Sequence, residues 1–176
     1  FDGSNTHTIN TGTIEAQGNI EVADTFSYGG SATLKINGTI NQILDGVASS
    51  PGTLMNVEID KPSGTLTLSG SIGMNYNWTY RKGTLDTTTS TIVFGNGNLT
   101  ISGSHTLNNA TFGGNNKTHT IDANTTLTIS GTLLFDGSNT HTINTGTIEA
   151  EGNIEVADTF GYGGAATLKI NGTENQ

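Results

Sequence analysis

Apolar and polar residues alternate in short runs along almost the whole chain. Thr33-Leu34-Lys35-Ile36, Thr65-Leu66-Thr67-Leu68, Leu99-Thr100-Ile101 and Thr126-Leu127-Thr128-Ile129 are examples, each followed closely by Gly, Asn or Ser. Period-two alternation places every second side chain on one side of an extended strand, and the small polar residues that follow favour a turn. No stretch fits helical spacing better. The pattern predicts an all-β chain of many short strands. Its candidate core rows run from Ile9, Ile14, Ile20 and Val22 through Leu34, Ile36, Val57, Ile59, Leu66 and Leu68. They continue through Ile92, Phe94, Leu99, Ile101, Leu107, Phe112, Ile121, Leu127 and Ile129.

The runs recur at two scales. Residues 135–176 repeat residues 1–42 with four differences: Gln17/Glu151, Ser27/Gly161, Ser31/Ala165 and Ile40/Glu174. Phe135 is the counterpart of Phe1, so 1–134 reads as one full period and 135–176 as the start of the next. Within the period, Ile121 and Ile143 close similar segments, and Leu99-Thr-Ile-Ser-Gly103 returns as Leu127-Thr-Ile-Ser-Gly131. Spacings of about 20–28 residues fit the coils of a parallel β-helix, a single continuous β-solenoid in which loops vary while strands stay in register. The handedness of parallel crossovers makes it right-handed. One period then holds about six coils and rises about 29 Å at the spacing of stacked strands. Because the pattern is under way at Phe1 and again at Gln176, the chain reads as a window on a longer array. Residues 43–64 are the least regular; Asp45–Gly52 reads as a loop leaving the solenoid, with Pro51 and Pro62 at loops or corners.

Composition supports this reading. The chain has 25 Gly, 32 Thr, 20 Asn and 13 Ser, but only 6% aromatics. Fifteen carboxylates against six cations give a net charge of −9, which excludes the basic stripe that nucleic acid requires. With no cysteine there is no disulfide framework, a tolerable lack where each coil is held by its neighbours. No apolar run is long enough to insert into a membrane as a helix.

Candidate chemistry is sparse. His7, His105, His119 and His141 each precede Thr and then Ile or Leu, so they point the same way as a core residue. They read as a stacked structural row, with metal binding as the alternative. Asp2-Gly3-Ser4-Asn5 and Asp136-Gly137-Ser138-Asn139 read as turns rather than calcium loops. Glu58 and Asp60 share a strand face near Lys61, with Arg81 and Lys82 further on; a solvated surface is the plain reading and a glycosidase pair the weaker one. Thr-x-Thr pairs such as Thr118/Thr120 and Thr126/Thr128 raise ice binding. Asn37, Asn77, Asn98, Asn109, Asn116, Asn124 and Asn171 begin Asn-x-Thr sequons and are candidate glycan attachment sites. Tyr76, Trp78 and Tyr80 alternate and so face one way, either as a patch for carbohydrate or lateral fibre contact, or as a core wedge. No cofactor motif is present, and nothing catalytic is assigned.

The segment Trp78…Gly83-Thr84-Leu85…Ser90-Thr91-Ile92-Val93-Phe94…Thr100-Ile101-Ser102-Gly103…Leu107-Asn108-Asn109-Ala110-Thr111-Phe112 resembles repeats of large bacterial surface proteins of the adhesin β-solenoid class. The resemblance covers about a fifth of the chain, and Asn-Ala-Thr-Phe stands where those repeats end in Asn-Leu-x-Ile. It implies an extracellular or cell-surface microbial stalk, fibre or filament. Its partners are further copies of the same repeat, head to tail, and glycans if the sequons are used. The alternative is an adhesin module that binds carbohydrate or another surface, with a polysaccharide-cleaving enzyme the least favoured reading.

Overall fold

A computed structural model describes residues 1–3, 8–26, 30–47, 51–161 and 163–173. Every regular element in them is a β-strand, and every named strand pairing is parallel. The chain is a β-solenoid whose coils present three faces in turn. The first face stacks Thr13–Ala16, Thr33–Ile36, 56–59, 78–80, Leu99–Ser102, Thr118–Ile121 and Thr142–Asn144. These seven strands define seven coils. The second face begins with Ile20–Val22, Gln42–Gly46, 65–69 and 84–89. It resumes with His105–Leu107, Thr126–Ile129, Thr147–Ala150 and Thr167–Ile170. The third face stacks Thr53–Leu54, 71–74, 91–94, Asn109–Asn115, Leu133–Ser138 and Ile154–Val156.

Each strand is a short run rich in Thr, Ile and Leu, which suit a pleated, half-buried surface. Alternation sends the aliphatic residues inward, where they stack on the residue one coil away. Leu34 lies between Ile14 and Val57, and Ile101 between Trp78 and Ile121. On the third face Phe94, Phe112 and Phe135 follow one another with ring centroids 5.1 and 6.0 Å apart, and Phe160, beyond the end of that face, packs on Phe135 at 5.3 Å. No coil could bury such rows by itself, so stability comes from the stack. In-register coils also bring backbones together: a side chain on Gly70, at φ 66°, would strike the carbonyl of Gly46.

Of the expected core residues, all but two are buried. Ile9 is half-buried and Ile14 is 37% exposed, since among the described residues no strand stacks beneath the first coil. The expected loop over 45–52 is corrected in part. Asp45 and Gly46 end the strand Gln42–Gly46, which pairs on both sides, and Leu44, Leu54 and Met55 are core residues. Residues 48–50 fall outside the described set. Pro62 lies at a corner: Asp60 pairs with Lys82 and Thr65 with Thr84, so residues 61–64 turn against Gly83 alone.

Coil length varies. A short coil carries the chain from Ile92 to its stacked partner Ala110, and a longer one from Leu44 to Leu68. The return of Leu99-Thr-Ile-Ser-Gly at Leu127 is more than any one of these: it is a coil plus one face, because Leu99 stacks on the first face and Leu127 on the second. The long repeat behaves in the same way. Thr13–Ala16 is on the first face, but its copy Thr147–Ala150 is on the second. Ile20–Val22 is on the second, and its copy Ile154–Val156 on the third. Local structure is nevertheless kept. Hydrogen bonds from the amides of Ala23, Phe26, Ala32, Thr33 and Asn37 to Phe1, Ala23, Ile9, Gly12 and Ala16 recur between the corresponding residues of the second copy. One period thus spans six and one-third coils.

Candidate functional site

The second face is interrupted between 84–89 and His105–Leu107. An extra residue enters there, because Thr67 pairs with Asp86 but Ser69 with Thr89. The bulge opens a groove of about 560 Å³ lined by Tyr80, Leu85, Asp86, Thr87, Thr88, His105 and Thr106. Thr88 donates from both its amide and its hydroxyl to Asp86 Oδ1, and Ser90 Oγ donates to the Thr87 carbonyl, so the bulge is held by its own polar groups.

Beneath the groove lie two of the three alternating rings. Trp78 is fully buried, in register between Val57 and Ile101. The surface patch of Tyr76, Trp78 and Tyr80 is therefore corrected: alternation does give the strand residues a common direction, but at Trp78 that direction is inward. Tyr76 and Tyr80 are half-buried. Trp78 Nε1–H donates to His105 Nε2 at 2.9 Å, and the other ring nitrogen, Nδ1, carries the proton that meets the Gly103 carbonyl at 2.7 Å. Tyr80 stacks on the same imidazole at 5.2 Å and donates its hydroxyl to Gly83 O. Burial pushes the His105 pKa down to about 4, against a smaller upward effect of Gly103. His105 is a neutral ring with both nitrogens engaged, so it holds the core together and is not free for proton transfer.

His119 and His141 are both buried and meet edge-on, with centroids 4.6 Å apart; His7 lies outside the described residues. His119 Nε2 must carry a proton, because it faces the Gly95 carbonyl at 3.1 Å. His119 Nδ1 therefore accepts, and His141 Nε2–H donates to it across 3.2 Å. This leaves His141 Nδ1 as a buried acceptor without a partner. It abuts Gly137, where even a methyl group would collide with it, so there is no room for an ion. Burial, then the neighbouring His141, lowers His119 to about 4, and burial lowers His141. Two imidazoles already bonded to each other do not fit a metal site, and no group of three or more ligand-type side chains occurs among the described residues.

Glu58 and Asp60 belong to an ion-pair ladder on the first face. Lys35 Nζ lies 3.2 Å from Glu58 and 3.0 Å from Asp60; Arg81 reaches Glu58 at 2.9 Å and Lys82 reaches Asp60 at 3.6 Å. At Glu58 partial burial pushes upward but is outweighed by Arg81 and Lys35, and its pKa is lowered. Asp60 is lowered chiefly by Lys35. Both carboxylates are held ionised, whereas a glycosidase pair needs one protonated carboxyl. Lys61 is not part of the ladder. Its side chain is buried at the corner and its ammonium donates to Gly38 O, Ile40 O and Gln42 Oε1 at 2.8, 2.9 and 2.8 Å.

The sequon asparagines mostly serve as staples between coils. Asn77, Asn98, Asn109 and Asn116 accept through Oδ1 from the amides of Thr100, Thr118, Thr132 and Thr140, each one coil on. Asn19, Asn41 and Asn56 do the same for Ile43, Thr65 and Asn77. Asn124 is exposed, Asn37 is half-buried with an unpaired Oδ1, and Asn171 donates to Glu149. Sequence reasoning misses this ladder, although asparagines preceding alternating runs at coil-like spacing are its signal. The Thr-x-Thr pairs do not form one array, since Thr118/Thr120 and Thr126/Thr128 lie on different faces. Asp136–Ser138 continue a strand paired with Gly113–Asn115, and Asn139 turns at φ 57°; Ser4 and Asn5 of the first copy fall outside the described residues.

No protein-family model matches the chain, and comparison with curated proteins and with solved structures gave no match.

Proposed function

We propose that this chain is a section of a structural tandem-repeat β-solenoid that forms a stalk, fibre or filament on or outside a microbial cell. Its partners are further copies of the same repeat. The observation that carries this reading is that the two copies of the repeated segment make the same backbone hydrogen bonds at two levels of one stack of coils. A sequence reused along an axis, with its polar groups engaged in holding coil to coil, is suited to setting length and stiffness. The adhesin-type repeats it resembles, the acidic surface and the absence of cysteine fit that setting. Antibodies raised against residues 43–134 and used for immunoelectron microscopy of the native source test it. Label along extended material outside the cell is the expected result, and label confined to the cell interior overturns it.

A second reading, carbohydrate binding, is favoured by the groove, whose floor includes Tyr80 and whose rim carries Asp86, Thr88 and Thr106. A glycan array compares the chain with Tyr80→Ala. Binding that the substitution abolishes supports this reading, and no binding above background removes it.

A further inference from the structure

The upper end of the core is open. Phe135, Ile143, Ile148, Val156, Phe160 and Leu168 line an apolar recess of about 260 Å³. Val156, Leu168 and Ile170 are 60%, 43% and 63% exposed. The same residues one period earlier, Val22, Leu34 and Ile36, are 2%, 1% and 0% exposed. The difference lies in what covers them. In the first copy Gln42–Gly46 stacks on Ile20–Val22, the Thr53 amide binds Phe26 O, and 56–59 stacks on Thr33–Ile36. The covered copy thus identifies the occupant of the open one.

We infer that this open end is a docking surface for a second copy of the same sequence, joined in tandem, whose residues 42–46 and 56–59 stack on Ile154–Val156 and Thr167–Ile170 as they stack on Ile20–Val22 and Thr33–Ile36 here. The inference rests on the tandem-rod reading and adds a geometry to it. Thr33–Ile36 is on the first face and Thr167–Ile170 on the second. A copy docked in the register already seen is turned by one face, a third of a turn. Three periods, or nineteen coils, bring a given residue back to the same side, an axial distance on the order of 90 Å at the usual strand spacing. The join is heterologous and does not close, so the copies wind as a threefold screw. Surface features such as the Lys35–Glu58–Asp60–Arg81 ladder are then offered on all three sides of the rod in turn. The docked copy also gives Lys169 its second partner. In this chain Lys169 pairs with Glu149 of the coil below at 2.9 Å, whereas Lys35 pairs with Glu58 and Asp60 of the coil above.

The test is a tandem chain: residues 1–176 followed directly by 43–176, and longer arrays made in the same way. The chain has no cysteine, so Lys169→Cys with Glu58→Cys in the added copy should cross-link on oxidation, in-register neighbours on parallel strands being within disulfide reach. Amides of Thr167–Ile170 should gain roughly 100-fold protection from hydrogen exchange over the single chain. In longer arrays tagged once per copy, electron microscopy should show labels winding around a rod and returning to one side at every third copy. A rod labelled along a single side at every copy overturns the one-face turn while leaving the rod reading intact. An added copy that neither cross-links nor protects Thr167–Ile170 overturns the docking. The stalk reading itself falls by the separate immunolabelling result.

Discussion

Ile36 and Ile170 occupy the same place in the repeat, between the same neighbours in sequence, and differ in coverage: Ile36 is fully buried and Ile170 is 63% exposed. Replacing each by Ala removes the same atoms. At Ile36 the loss is about 2.5 kcal/mol for three buried carbons plus a cavity that Val57, Ile59 and Leu34 cannot collapse to fill, about 3.5 kcal/mol in all. At Ile170 only about a third of the side chain is out of water and no enclosed cavity forms, so the loss is about 1 kcal/mol. Urea unfolding of Ile36→Ala and Ile170→Ala, followed by circular dichroism and compared at constant slope, measures both. The expected result is a clear drop in midpoint for Ile36→Ala and a shift of about a third that size for Ile170→Ala. Equal losses would refute the reasoning, because they would mean that Ile170 is already covered in solution or that the stack above Ile36 does not form. In a tandem chain the cost at Ile170 should rise to that at Ile36.

Three further outcomes follow from the polar groups that hold the coils together. Folded His105 and His119 have pKa values near 4 against about 6.5 unfolded, so the unfolded chain binds more protons between those values. Their stabilising effect is full above pH 6.5 and is lost as pH falls toward 4. Unfolding free energies from urea titrations at pH 5 and 7.5 should differ by about 2 kcal/mol for each ring, and a His105→Gln chain should show a flatter pH profile; an unchanged profile contradicts the assignment. Lys61→Met takes the donor from Gly38 O, Ile40 O and Gln42 Oε1, of which only the last keeps another donor, the Gly38 amide, and should cost about 3 kcal/mol, with a loss under about 1 kcal/mol showing that the corner re-forms around water. Asn98→Ala should cost about 1 kcal/mol and speed exchange of the Thr118 amide, whereas Asn98→Asp, which keeps the acceptor, should leave that amide protected.

Much of the fold is legible because period-two alternation is a local property. It marks the inward side of a strand wherever the strand lies, which is why alternation alone identifies Leu34, Leu66, Ile101 and Ile129 as core residues. Coverage is not local. Leu34 and Leu168 sit in identical letters, Thr-Leu-Lys-Ile, yet only Leu34 has a coil above it. Nor does residue counting assign a face, since the coil from Ile92 to Ala110 is shorter than that from Leu44 to Leu68. The returns of Leu99 at Leu127 and of Thr13 at Thr147 look like whole turns and are not. Residues 43–64 look irregular in part because Lys61 interrupts the apolar rhythm, as Gln42 does just before them. Both side chains do so to serve a polar corner, where Gln42 Nε2 binds Ala16 O and Gly18 O while its Oε1 accepts from Gly38 and Lys61.

The sequons show how a true pattern can carry a different cause. In Asn77-Trp78-Thr79, Asn98-Leu99-Thr100 and Asn109-Ala110-Thr111, the asparagine sits where a strand begins and reaches the coil above. The middle residue points inward and is buried, and the threonine points outward. Corner Asn, inward apolar, outward Thr is what this solenoid requires at the start of a strand, and it spells Asn-x-Thr without reference to any glycan. Selection for the coil-to-coil staple alone therefore generates sequons. A glycan attached at Nδ2 would leave Oδ1 free to keep its bond, so the two uses do not compete at exposed Asn77 and Asn98. At half-buried Asn109, Nδ2 already lies against Thr91 Oγ1 at 3.5 Å, and decoration there would have to displace the coil below.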